Sequence, residues 1–213
     1  MNISHAFARF AALPMLGLLH SIAAAASLSA QVSDPVGLAL ANAVVYAEPT
    51  ASAPMPKSRK AVEVEQKGRK FSPLVTVIQT GTEVSFPNND TVRHHVYSFS
   101  PAKIFDIKLY AAGEPGKPGP FDKAGTVVVG CNIHDQMVAY IHVVNTPWFA
   151  KTDASGAARI EGLPAGSYVL KAWHYNQPSG APIAEQALTV GAGDQSAAFR
   201  IKVINKVVPA AGY

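Results

Sequence analysis

The chain has 213 residues, 48% of them hydrophobic and 15% charged, with a formal net charge of +4. That length allows one or two domains with a real core, and so mild a basic excess gives no reason to expect nucleic acid as a partner. One cysteine excludes an internal disulfide and leaves a thiol that needs burial, an interchain pair or a metal.

Met1 to Leu19 carries Arg9 ahead of the apolar run FAALPMLGLL, and small residues follow at Ala23 to Ala26. This pattern predicts a secretory signal peptide over residues 1–26, and hence a periplasmic or otherwise exported protein. Arg9 and His20 bound an apolar run, interrupted by Pro14, that falls short of the roughly 20 residues a span requires. No later stretch is long enough, so no membrane span is expected once the leader is cleaved.

Residues 27–50 read as two β segments around a turn at Asp34, Pro35 and Gly37, with Val44, Val45 and Tyr46 in the stronger strand. Residues 51–59 are rich in Ala, Ser and Pro and read as a linker. In PKSRKAVEVEQKGRK, six bases (Lys57, Arg59, Lys60, Lys67, Arg69, Lys70) stand against Glu63 and Glu65. That run suits either a docking face for an acidic partner or a solvated strand face.

From Phe71 the texture is β: FSPLVTVIQT, a turn at Gly81, TEVSFP, and turn chemistry at Asn88 to Asp90. VRHHVYSFS puts His94, Val96 and Ser98 on one face and His95, Tyr97 and Phe99 on the other. Residues 101–121 are expected to form a long Gly- and Pro-rich loop with at most a short strand at FDIKLY. GTVVVG and MVAYIHVV are strands that flank CNIHDQM, and residues 60–145 make one domain. Residues 146–208 hold further turns and strands, including AEQALTV and AAFRIKVIN, and 209–213 form a tail.

In CNIHDQM, Cys131, His134 and Met137 recur at steps of three. Thiolate and thioether favour copper, and a second imidazole, from His94 or His95, would complete a His2Cys set with a weak Met. Two strands joined by this short loop would hold three ligands rigidly, while the fourth enters from a neighbouring strand. His142, Trp173 and His174 are expected to pack, and no arrangement of nucleophile, base or paired carboxylates stands out, so no enzyme activity is expected.

With VSFPNNDTVRHHV and CNIHDQM, residues 60–145 resemble the cupredoxin family in its plastocyanin- and amicyanin-like branch. The resemblance implies an all-β, Greek-key sandwich or barrel and one type 1 copper ion held by His94, Cys131, His134 and Met137. It also implies one-electron carriage to a redox partner such as a c-type cytochrome or a dehydrogenase. Asn88 falls on the family's loop-supporting Asn, and His95 is a candidate for outer hydrogen bonding. Arg93 stands where many members have Pro, and Val129 with Gly130 replaces an aromatic pattern before the Cys. The flanking parts, 27–50 and 146–208, resemble two pieces of a carboxypeptidase-regulatory or Cna-B-like sandwich, which implies that the copper unit is inserted into a second small β-sandwich. The arrangement is similar to exported proteins of the methylamine-utilisation type. Copper handling or sensing without electron relay, and carbohydrate binding or adhesion at the cell envelope, are the alternatives.

Overall fold

A computed structural model describes residues 26–52, 55–57 and 60–204. The expected leader, apart from Ala26, and the expected tail lie outside these residues. Among them the chain forms β1 (Ala26–Ser33), β2 (Val44–Pro49), β3 (Val62–Glu63), β4 (Glu65–Lys67), β5 (Lys70–Ser72), β6 (Val75–Gln79), β7 (Thr82–Ser85), β8 (His94–Ser100) and β9 (Lys103–Tyr110). It continues through β10 (Pro120–Phe121), β11 (Gly125–Gly130), β12 (Val138–Val144), β13 (Phe149–Lys151), β14 (Ala157–Leu163), β15 (Gly166–Trp173), β16 (Ala184–Val190) and β17 (Gln195–Arg200). The described chain is all-β, with mixed parallel and antiparallel pairing, and no helix in it is long and apolar enough to cross a membrane.

The first and last parts of the chain pair with each other. β1 lies between β14 and β17, and β2 between β13 and β15, with β16 beyond β15. The alternation in ASLSAQVS sends Leu28, Ala30 and Val32 inward, where they join Val45, Ile160 and Leu170 in one buried cluster drawn from both sheets. Each large aliphatic group so buried contributes about 1.5–3 kcal/mol.

The middle of the chain builds a five-stranded sheet, β6-β12-β11-β8-β9, and a three-stranded one, β10-β7-β3. Phe86, Val96, Phe121, Val127 and Ile141 meet between them. β12 is buried on both faces: Ala139, Ile141 and Val143 enter this cluster, while Tyr140 and Val144 join Val44, Tyr46, Val75 and Trp173 in a third. Burial on two sides accounts for the nearly unbroken apolar run VAYIHVV.

One expectation needs correction. The segment 101–121 holds more than a short strand at FDIKLY: β9 runs for eight residues as an antiparallel partner of β8, and Pro120–Phe121 forms β10 after an irregular stretch. The β texture of FSPLVTVIQT divides between two strands: Lys70–Ser72 closes a small hairpin with β4, and Val75–Gln79 pairs in parallel with β12.

Candidate metal centre

β11 and β12 are antiparallel with Gly130 opposite Val138, so residues 131–137 close the end of a rigid ribbon. Two successive turns shape this loop: the His134 N–H donates to Cys131 O at 3.4 Å, and the Met137 N–H to His134 O at 2.9 Å. The three-residue step in the sequence is therefore a repeat of hydrogen-bonded turns. β8 lies beside β11, with Tyr97 opposite Gly130, and its inward parity buries His94 completely.

These elements bring three donors together. Cys131 Sγ is 3.8 Å from His94 Nδ1 and 3.7 Å from His134 Nδ1, and the three ligand atoms all lie within 4.8 Å of one another. The two imidazole rings are 5.1 Å apart with planes tilted by 59°. Metal–sulfur and metal–nitrogen bonds of about 2.3 and 2.0–2.1 Å, meeting at angles between tetrahedral and trigonal, would separate S and N by about 3.6–3.8 Å. Both sulfur–nitrogen separations thus match those around a bound metal ion, and this is the one such group of three or more found among the described residues.

Met137 is buried in the same cluster as Cys131, immediately before β12. Cys131 is buried and His134 half-buried, while Asn132, Ile133, Asp135 and Gln136 are exposed around them.

Asp90, which the sequence presents only as part of a turn, holds the far side of His94. Its Oδ2 lies 2.9 Å from His94 Nε2 and accepts the Arg69 N–H at 2.7 Å. A proton on Nε2 facing the carboxylate leaves Nδ1 with its lone pair toward Cys131. The Arg69 amide, and after it the His94 bond, hold the Asp90 carboxyl below the ordinary carboxylate range.

Asn88 supports the site by a different route from the one expected. Its Nδ2 donates to Val92 O at 2.9 Å and Tyr110 O at 3.1 Å, and its Oδ1 accepts the Asp90 N–H at 3.0 Å. These bonds brace the turn that delivers His94, not the 131–137 loop, because Asn88 sits two residues before Asp90 on that same turn. His95 points away from the ligand cluster, as strand parity requires, and pairs with Asp106. With Lys108, Leu109, Asn132 and Ile133 it lines a surface cavity of about 320 Å³.

Gly130 accounts for the missing aromatic before Cys131. A Cβ there would lie 3.0 Å from the Tyr97 ring, so the glycine admits an aromatic from the adjacent strand. The glycine and the tyrosine are visible in the sequence, but their pairing depends on the β8–β11 register. His142 lies outside the cluster, stacked on Trp173 with ring centroids 4.3 Å apart, and burial lowers its pKa to about 4.

No protein family matches the chain, and no curated protein matches it. Among solved structures it is similar to a purple cupredoxin from Nitrosopumilus maritimus at 23% identity and a TM-score of 0.36, over 39% of this chain and 99% of that one. It is similar to a copper-containing nitrite reductase from Thermus scotoductus at 28% identity and 0.38, over 46% of this chain and 25% of that one. An oxidized mutant of amicyanin gives 16% identity and 0.37, over 46% of this chain and 99% of that one.

Proposed function

We propose that this chain is an exported, non-enzymatic electron carrier that holds one type 1 copper ion with His94, Cys131, His134 and Met137. The observation that carries the reading is the meeting of two imidazole nitrogens and one thiol sulfur within 4.8 Å, with His94 and Cys131 buried and His134 half-buried. A thiol and two imidazoles also suit zinc, but the thioether of Met137, buried in the same cluster as Cys131, tips the set toward a softer ion. Copper, when bound, supplies a one-electron couple.

The chain's own residues then do three things. Asp90 orients His94, burial keeps the Cys131 sulfur from solvent oxidants, and half-buried His134 offers the edge nearest a partner. The enclosed positions of His94 and Cys131 speak for retaining the ion over passing it on, because ion transfer needs ligands that a recipient can reach. We read the strands of residues 62–144 as a Greek-key, cupredoxin-like unit inserted into the second small sandwich. Its redox partner in the periplasm would be a protein such as a c-type cytochrome or a dehydrogenase.

Addition of Cu(II) to the purified protein, followed by visible and EPR spectroscopy and voltammetry, tests the reading. We expect a thiolate-to-copper charge-transfer band and a reversible one-electron wave. Cys131→Ala and His94→Ala should abolish the band, and His95→Ala should keep it. A colourless protein with weak copper affinity would overturn the proposal.

A further inference from the structure

The β4–β5 hairpin is unfavourable on its own terms. Lys67 and Lys70 are direct cross-strand partners, and like charges so placed repel. The turn between them is Gly68–Arg69, with φ of 59° and 57°. Such a turn favours Asn-Gly, and an arginine in the left-handed region is strained. The Arg69 N–H is used by Asp90 at 2.7 Å, but that bond needs only a backbone amide. It explains the position of the turn and leaves three exposed cations in four residues unexplained.

Their placement supplies the reason. Through Asp90 the hairpin tip is two hydrogen bonds from the His94 ring. Arg69, Lys70, Phe71 and Leu74 line a surface groove of about 390 Å³ together with Gln136 and Val138. Gln136 belongs to the ligand loop, so Arg69, Lys70 and the loop border the same hollow. No carboxylate lines it.

We propose that this hairpin and groove are the docking surface for an acidic redox protein. Its carboxylates would face Lys67, Arg69 and Lys70, and its redox centre the 131–137 loop. The assignment rests on the electron-carrier reading, and charge complementarity commits it to an anionic partner.

The first test uses the metal-free protein and poly-L-glutamate as probe, followed by backbone amide shifts. Shifts should centre on residues 67–70 and 136–138, and affinity should fall about tenfold between about 0.01 and 0.15 M salt, where the screening length drops from roughly 30 to 8 Å. Lys67→Glu with Lys70→Glu should lose binding, and the milder Lys67→Gln with Lys70→Gln should weaken it. Shifts centred elsewhere, or unchanged affinity in both variants, would overturn the assignment.

The second test uses the copper-loaded protein, with ferrocyanide as an anionic and hexaammineruthenium as a cationic electron donor. Charge reversal should slow exchange with the anion about tenfold at low salt and leave the cation no slower, with the visible spectrum unchanged. Equal effects on both reagents would overturn it. A protein that takes up no copper would defeat the carrier reading, and the polyglutamate result would still decide the surface.

Discussion

One oxygen of Asp90 serves both the Arg69 amide and the His94 ring, which makes this carboxylate the hinge between the basic hairpin and the candidate metal centre. Asp90→Asn keeps the shape and one acceptor oxygen but removes the charge that favours a proton on Nε2. A partner of this kind to a ligating histidine is worth about 10–100-fold in metal affinity, so the variant should bind copper more weakly by that factor in a competition titration. Nitrogen-resolved NMR of the metal-free variant should also show His94 shifting between tautomers. Unchanged affinity and a fixed tautomer would reduce Asp90 to a turn residue. Strand parity made His94 the inward histidine of the pair, since His94, Val96 and Ser98 alternate with His95, Tyr97 and Phe99. Nothing in the sequence marked Asp90, because an Asn-Asn-Asp turn looks the same whether its last side chain meets water or a buried imidazole.

The contact of β8 with β11 shows how an element can replace a missing side chain. Gly130 has no Cβ, and the Tyr97 ring occupies the place beside it, with its own neighbours His95 and Phe99 at 5.6 and 5.2 Å between ring centres. Gly130→Ala should push the ring outward, because the crowded atoms lie toward the far end of a half-exposed side chain. The expected loss is about 1 kcal/mol, at the low end for overpacking, and it should largely disappear in the Gly130→Ala, Tyr97→Ala double variant when urea midpoints are compared. Additive losses would mean that the ring and the glycine are uncoupled. The ligand loop itself was legible because both flanking strands have strong β composition and the ligands recur at a fixed step. β9 was harder to read: in KIFDIKLY only Phe105 is buried, and Ile104 is 70% exposed, so the period-two signal is blurred by an outward apolar residue and by the Gly- and Pro-rich segment that follows. The pairing of β1 with β14 and β17 joins residues far apart in sequence, and only the texture of the flanking segments hinted at it.

At the scale of the molecule, the outer face of β6 and β12 packs against β2 and β15, and His142 lies at that seam. Its ring stacks on Trp173, tilts against Tyr46 at 5.6 Å, and its Nδ1 lies 3.1 Å from the Thr126 hydroxyl. Desolvation lowers its pKa from 6.5 to about 4, so the folded protein keeps it neutral where the unfolded chain would already bind a proton. Stability from this residue is therefore complete above pH 6.5 and is lost as pH falls toward 4, below which no further loss arises from it. The depressed pKa corresponds to about 3 kcal/mol across that window. Urea unfolding of the metal-free protein at pH 7.5 and 4.5 measures it, with His142→Gln as the reference in which carboxylate titrations are shared and cancel. The parent should lose about 2–3 kcal/mol more than the variant on acidification, and Trp173→Ala, which opens the seam to water, should shrink that difference. Equal losses in parent and His142→Gln would mean that the histidine gains a proton without opening the packed seam.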